Sequence, residues 1–308
     1  MPNVAEPSRP TLINWLEISA LGVIWGGSFL SVHLALDGFR PLSVAAGRIL
    51  IAALALTVLV LLSRRSLPSL KATPRIWLSA VGMGALSNAL PFTLLAWSQQ
   101  YVTSGFAGIS VAMVPLFTLV LAHFFLQGER LTARRVVGFA LGLTGVVMLI
   151  GTDALAYGGD QLEPIARILC IAAAGSYAAG SIVTRRSPPV DPIAFSTLAL
   201  IAASTMIVPI ALWVDGVPSL LPPIHAMAAL VYLGLLPTAV ATLILVHVIR
   251  TAGPTFLTLT NYYVPVWAVI FGLVVLQETL PPQFVFALGL ILAGLLVSRA
   301  SMRRRPAT

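Results

Sequence analysis

Three polar side chains fall near the middle of long apolar segments, where a membrane protein would contact a solute. They are Asn88, Thr238 and Asn261. Lipid offers an amide or a hydroxyl no hydrogen-bond partner, so such groups face either the interior of a helix bundle or a cavity. Two interpretations are open, because the same residues suit a binding site for a polar solute and hydrogen bonds between helices.

Aromatic residues occupy the same apolar segments. Tryptophan and tyrosine rings stack on organic groups, attract cations through their faces and donate one hydrogen bond each. The pattern predicts a substrate site made of the three polar residues and six aromatic ones, namely Trp25, Asn88, Trp97, Tyr177, Thr238, Asn261, Tyr262, Tyr263 and Trp267.

Four further residues are candidates for gating or coupling. Arg48 is a charge inside an apolar segment, which suits either an anion contact or gate, or a structural bond to helix-end carbonyls. Pro115 and Pro265 each remove a backbone hydrogen bond and can kink a helix. His247 belongs to the residue type that changes charge near neutral pH, and ordinary hydrogen bonding is the alternative for it.

The sequence predicts neither a catalytic residue nor a metal ligand set. The histidines have no metal-ligand spacing, and Cys170 is the only cysteine, which excludes an internal disulfide and a cysteine cluster. No phosphate loop, nucleophile elbow or metalloprotease pair is present. We therefore expect no enzyme activity and no cofactor.

The composition predicts the elements that position these residues. Hydrophobic residues make up 58% of the 308 residues and charged ones 9%, whereas a soluble domain has roughly 45–50% and 25%. Segments of 17 to 25 apolar residues form transmembrane helices, because lipid cannot satisfy an open backbone. We predict an all-α integral membrane protein with ten helices near 13–36, 42–62, 76–97, 104–126, 134–150, 165–184, 192–213, 226–249, 255–276 and 283–299.

The same residue pattern occurs twice, about 150 residues apart. Two glycines, a proline and a glutamate of the first copy have counterparts in the second, in the pairs Gly84 and Gly234, Pro115 and Pro265, Glu129 and Glu278, and Gly145 and Gly294. Five helices per copy is an odd number, so the second copy enters the bilayer from the opposite side. Inverted repeats of this kind are typical of secondary transporters with a central site.

The repeat divides the chain into five parts. We predict a cytoplasmic tail at 1–12, a first five-helix repeat at 13–150, an external loop at 151–164, a second repeat at 165–299 and a basic cytoplasmic tail at 300–308. Glu129 and Glu278 end corresponding helices. The dipole of its own helix opposes each carboxylate, so we expect a backbone amide or an arginine to hold it as a structural latch.

Lysine and arginine positions predict the orientation. With both termini in the cytoplasm, nearly all of them lie on the inner side, and only Arg40 and Arg167 fall outside. The net charge of +8 is therefore a signal of topology and does not indicate a nucleic-acid partner. We expect a bacterial-type inner membrane protein whose partners are the bilayer and a small-molecule substrate. Small-residue faces on helices five and ten suit packing within a monomer or contact in a homodimer.

Several short motifs resemble those of the drug/metabolite transporter superfamily, in its EamA-like ten-helix branch. They are WGGSF at 25–29, GRIL at 47–50, GERL at 128–131 after Pro115, and QETL at 277–280 after Pro265. Two departures are Gln277, where a glycine is usual, and Ala287, where the first repeat has Gly138.

This resemblance implies two inverted units around a central cavity, alternating access and export of small metabolites. The length and layout are similar to those of YddG-like amino-acid exporters, so amino acids, including aromatic ones, are the expected substrates. Efflux of lipophilic cations is an alternative, although the buried carboxylate it would need is not evident. A membrane-embedded enzyme or a sensor is the alternative from another class.

Overall fold

The computed structural model describes residues 10–126, 132–150, 162–217 and 221–299, and all regular structure in these ranges is helical. Seven membrane-length apolar helices are present, and two shorter apolar helices and an 18-residue helix complete the ten predicted spans. The spans are α1 Leu12–Leu36, α2 Pro41–Leu62, α3 Pro74–Ser98, α4 Ser104–Phe125, α5 Ala133–Ile150, α6 Glu163–Arg186, α7 Pro192–Val214, α8 Ile224–Ala252, α9 Pro254–Leu257 with Thr260–Val274, and α10 Pro282–Arg299. The predicted fold class is confirmed.

Equivalent helices of the two repeats pack in equivalent ways. Helix α3 contacts α7 while α8 contacts α2, and α3 contacts α6 while α8 contacts α1. Glycines permit the close approaches: a Cβ on Gly84 would collide with the carbonyl of Ala199 in α7, and one on Gly234 would meet Ile51 in α2. The sequence pair Gly84 and Gly234 therefore marks the same helix crossing in each half.

Helices α5 and α10 pack along each other. A Cβ on Gly145 would lie 2.8 Å from the Ala287 carbonyl oxygen, and one on Gly294 would collide with the Gly138 carbonyl oxygen. Small residues thus bring the two backbones together within one chain. The faces that the sequence offers to a homodimer are used at least in part for this internal contact.

Helices α3 and α8 each contain a widened π-helical turn, at Ala85–Ala89 and Leu235–Val240. The two turns begin directly after Gly84 and Gly234, and each includes or precedes a proline, Pro237 in α8 and Pro91 in α3. A proline cannot donate the backbone bond to the preceding turn, and widened turns are frequent at functional sites. Both repeats therefore have irregular backbone at corresponding positions along the helix.

Side chains from neighbouring helices satisfy carbonyls at the widened turns. The Ser176 hydroxyl of α6 donates to the Leu86 carbonyl (2.7 Å), and the Trp25 indole of α1 donates to the Pro237 carbonyl (2.9 Å). Helices α1 and α6 are the first helices of their repeats. Each repeat thus supplies a donor to the irregular helix of the other, as an apolar environment requires.

Helices α4 and α9 are interrupted near the paired prolines. In α4 the break falls at 112–113, two residues before Pro115, and in α9 it falls at 258–259, before Pro265. Pro115 lies in the first turn of Val114–Phe125, the second half of α4, whereas Pro265 lies inside Thr260–Val274. The moving role of both prolines stays a prediction.

Candidate functional site

A hydrogen bond between the two repeats lies at the centre of the candidate site. Arg48 of α2 donates from Nε to the Thr238 hydroxyl of α8 (3.0 Å). That hydroxyl donates in turn to the Leu233 carbonyl (2.8 Å), which is the carbonyl that Pro237 cannot bond in a regular helix. The widened turn of α8 therefore fixes the hydroxyl that holds Arg48.

One aromatic ring stacks on the guanidinium, and other aromatic residues lie near it. Its carbon lies 3.7 Å from the centre of the Phe92 ring of α3, a cation–π contact. The Phe92 and Tyr177 rings are 6.3 Å apart in an edge-to-face arrangement. Trp25 binds the carbonyl next to Thr238. Of the residues predicted from sequence, the structure therefore brings Arg48, Thr238, Tyr177 and Trp25 together.

Asn88 lies in the widened turn of α3, four residues before Phe92. It is 8% exposed, and its side chain makes no hydrogen bond to any described residue. Residues four apart in a helix share a face, so Asn88 neighbours the Phe92 that stacks on Arg48. A buried amide without protein partners is available to a ligand.

Charge is the second property of this region. Arg48 is 7% exposed and lies about 10 Å along α2 from the N-terminal end of that helix, at 1.5 Å per residue. No carboxylate of the described chain lies within 4.0 Å of it. The acidic residues that the structure describes all lie within about two turns of a helix end, at Glu17, Asp37, Glu163, Asp191, Asp215 and Glu278.

Trp97, Tyr262 and Asn261 extend the candidate site in different directions. Trp97 and Tyr262 pack against the same buried core as Trp25 and Tyr177. The Trp97 ring also contacts Tyr101, at 4.8 Å between ring centres. Asn261 is half-buried in the first turn of the main segment of α9, and its side chain bonds to none of the described residues. A direct role for these three stays a prediction.

Tyr263 and Trp267 occupy the packing interface between α1 and α9. Their Cβ atoms lie where a side chain on Gly22 or Gly26 would otherwise be. The Trp267 ring also contacts Phe271, with 5.6 Å between ring centres. The structure thus shows them in helix packing, and their predicted substrate contacts stay predictions.

His247 lies near the C-terminal end of α8, away from Arg48. Its Nδ1 is 2.5 Å from Oε1 of Glu17 in α1, and Asn14 binds both Glu17 (3.2 Å) and Thr251 (2.7 Å). These contacts join the N-terminal end of α1 to the C-terminal end of α8. A gating or coupling role of His247 stays a prediction.

Glu278 holds the first turn of α4. Its Oε1 accepts the backbone N–H of Ser104 (2.7 Å) and its Oε2 that of Gly105 (3.1 Å). A carboxylate at a helix N-terminus is stabilised by unpaired N–H groups and by the helix dipole. Its counterpart Glu129 lies outside the described residues, so that prediction has no structural description.

Phe92, Ser176 and Tyr232 were not singled out from the sequence. The Tyr232 hydroxyl donates to the Ile24 carbonyl (3.3 Å). The sequence positions of Phe92 and Ser176 could have indicated them. Phe92 is one turn from Asn88, and Ser176 is next to the position that corresponds to Trp25 in the second repeat.

A separate pocket of about 220 Å³ lies between the N-terminal half of α2, the C-terminal end of α7 and the N-terminal half of α8. Its lining is almost wholly apolar and includes Ser43, Gly47, Leu50, Val208, Leu212 and Leu230. Since it contains none of the predicted substrate residues, we do not assign the predicted site to it.

The comparison with protein families fits both repeats. The model of the EamA-like transporter family matches residues 15–151 and again residues 164–300. The chain belongs to the EamA-like transporter family. The resemblance to the drug/metabolite transporter superfamily seen in the short motifs is thereby confirmed, and this EamA-family protein is a multi-pass membrane transporter.

Named relatives of this EamA-family protein are transporters. It is 30% identical over 273 residues to "Uncharacterized inner membrane transporter YedA" of Escherichia coli strain K12, covering 88% of this chain and 86% of that protein. It is 29% identical to a "Probable terminal-alkyne amino-acid exporter" of Streptantibioticus cattleyicolor, covering 92% of each. A crystal structure with 21% identity aligns over 96% of this chain and 100% of that one, with a TM-score of 0.67, and supports the fold alone.

Proposed function

We propose that this EamA-family protein exports small organic metabolites, amino acids (including aromatic ones) above all, by alternating access. The observation that carries the proposal is the polar and aromatic cluster at the contact between the repeats, where Arg48 bonds to Thr238 beside Trp25 and Tyr177. In inverted-repeat transporters the site lies at the repeat interface, near interrupted helices. The widened turns of α3 and α8 are such interruptions.

The chemistry of the cluster suits an amino acid. Aromatic rings offer stacking surfaces, Asn88 offers both a donor and an acceptor, and the fixed charge is a single cation. The relative named as an amino-acid exporter supports the same class. Efflux of lipophilic cations fits less well, because the described carboxylates lie at helix ends and Arg48 would repel a cation.

We further propose a bacterial-type inner membrane location with both termini in the cytoplasm. The relative named as an inner membrane transporter and the distribution of arginines support this orientation. The proposal includes no catalytic step and no cofactor. It holds for a monomer and for a homodimer.

The test is flux through the purified full-length protein in liposomes. The panel contains labelled phenylalanine and leucine, a lipophilic cation and a nucleotide sugar, each with and without a proton gradient. We expect saturable amino-acid flux, and we expect Asn88→Leu to lower it at unchanged protein insertion. Flux of only the lipophilic cation or only the nucleotide sugar would support the transport activity and refute amino acids as the substrate. No flux for any solute would reopen the enzyme and sensor interpretations.

A further inference from the structure

Arg48 is a buried cation whose counter-ion is not supplied by the described protein. Removal of a charge from water costs several kcal/mol unless a partner of opposite charge or several hydrogen bonds compensate. Among the residues that the structure describes, Arg48 contacts one neutral hydroxyl, that of Thr238, and one aromatic ring, that of Phe92. Neither contact neutralises the positive charge of the guanidinium.

The contacts also fix the orientation of the guanidinium. Thr238 holds Nε, and Phe92 covers one face of the plane at 3.7 Å. Nη1 and Nη2, which carry four of the five N–H donors, have no hydrogen-bond partner among the residues that the structure describes. Two adjacent guanidinium nitrogens match the two oxygens of a carboxylate.

The surroundings favour one carboxylate over a phosphate dianion. Arg48 supplies one positive charge, while a phosphate dianion would need more than one. Tyr177 and Tyr232 are near enough to interact electrostatically with Arg48 and provide only neutral phenols. Asn88, one turn from Phe92, can accept a hydrogen bond from an ammonium or hydroxyl group of the same ligand.

We propose that Arg48 is the carboxylate-recognition residue of the transporter, and that Nη1 and Nη2 bind the substrate carboxylate as the missing counter-ion. Thr238 and Phe92 are positioning residues that act through Arg48. The substrate class is then small organic monocarboxylates, of which amino acids are one group. This inference rests on the proposed function for its transport assay, but it specifies a group that the substrate must carry.

The test compares ligands that differ in one group. Uptake of labelled phenylalanine into liposomes is competed by 3-phenylpropanoate, which lacks the amine, and by phenylalanine amide and phenethylamine, which lack the carboxylate. We expect 3-phenylpropanoate to compete and the two cations to fail. Equal competition by the amide and the amine would overturn the inference while amino-acid transport stands. Transport of 3-phenylpropanoate without phenylalanine would keep the inference and refute the amino-acid proposal.

The variants locate the effect at Arg48. Loss of a buried charged partner costs about 2–5 kcal/mol, so Arg48→Gln should weaken carboxylate binding by at least about 30-fold at 1.4 kcal/mol per tenfold. The matched control is Arg40→Gln, because Arg40 is an exposed arginine at the start of the same helix. This control should change carboxylate binding by less than about twofold. Equal weakening by both variants would overturn the inference.

A structural role of Arg48 would lower activity without changing ligand preference. The deciding readout is therefore the ratio of inhibition by 3-phenylpropanoate to inhibition by phenethylamine. Thr238→Val keeps the charge and removes the bond that orients it, so this ratio should fall in that variant. If Arg48→Gln does not fold, Thr238→Val decides, and an unchanged ratio would refute the assignment. If no labelled solute moves, thermal-shift binding to the purified protein decides, and no response to 3-phenylpropanoate would refute it.

Discussion

Replacement of Glu278 should destabilise the protein more than replacement of an ordinary surface carboxylate does, because Glu278 holds the N-terminal end of α4. Glu278 accepts two backbone N–H groups of α4, at 2.7 and 3.1 Å. Hydrogen bonds to a charged group contribute about 1.5–3 kcal/mol each. Since Glu278 is half-buried, the lower value applies, and Glu278→Ala should cost about 3 kcal/mol.

The variant Glu278→Gln separates charge from shape. Its amide oxygen can accept one N–H, while its NH2 group cannot accept the other, so about half of the loss is expected. A domain of 150–250 residues shifts its unfolding midpoint by about 2–4 °C per kcal/mol, and a longer chain by less. For the 308 residues of this chain, at about 1.5 °C per kcal/mol, we therefore expect shifts of roughly 5 °C for Glu278→Ala and 2 °C for Glu278→Gln.

The measurement is scanning fluorimetry of the purified protein in detergent, at one fixed heating rate because unfolding of such proteins is often irreversible. The control is Asp37→Ala, which removes another helix-end carboxylate, whose bond to His225 (3.1 Å) is half-exposed. Such pairs contribute about 0–1 kcal/mol. A shift for Glu278→Ala no larger than that for Asp37→Ala would refute the reasoning.

Two further predictions concern helix packing and pH. Gly84→Ala should destabilise the protein by about 1–3 kcal/mol and lower its unfolding midpoint, because the new Cβ would meet backbone atoms of α7. Gly175→Ala is the control, because open space surrounds that position and the midpoint should not fall. Equal shifts for the two alanines would contradict the packing argument. Asp191 is the N-cap of α7, and its partial burial alone would raise its pKa. The hydrogen bond from the Ala194 N–H and the charge of Arg65 outweigh burial and hold this pKa below its ordinary value of 3.8. A carboxylate with a lowered folded pKa stabilises the protein fully above its unfolded pKa and loses that effect as the pH falls through the folded one. The stability difference between wild type and Asp191→Asn should therefore be constant from pH 7 to 5 and shrink below pH 4, and a difference independent of pH down to 3 would refute the assignment.

The spans could be predicted because lipid leaves clear marks on a sequence. A helix that crosses the bilayer needs a long apolar run, and glycines at close crossings cannot be exchanged freely. Gly84 and Gly234 therefore indicated the repeat, and the structure shows each at the crossing of equivalent helices. The widened turns that follow them were not predicted, because a π-helical turn changes backbone bonding without changing the apolar pattern.

The candidate site was less accessible to sequence reasoning. Polarity within an apolar segment pointed to Arg48 and Thr238 separately, but their bond depends on how α2 lies against the widened turn of α8. The direction in which each aromatic ring points could not be predicted from the sequence either. Trp267 and Trp25 look alike in sequence, yet Trp267 packs on Gly26 of α1 while Trp25 reaches the Pro237 carbonyl.

The position of Arg48 connects the proposed recognition step with movement of the repeats. A ligand shifts a conformational equilibrium only by the difference between its affinities for the two states. A carboxylate bound far inside one repeat would have similar contacts in both states and would shift little. Arg48 belongs to the first repeat, and its orientation depends on Thr238 in the second. Any rearrangement that separates α2 from α8 changes the guanidinium geometry, so carboxylate binding at this residue is sensitive to the relative position of the repeats.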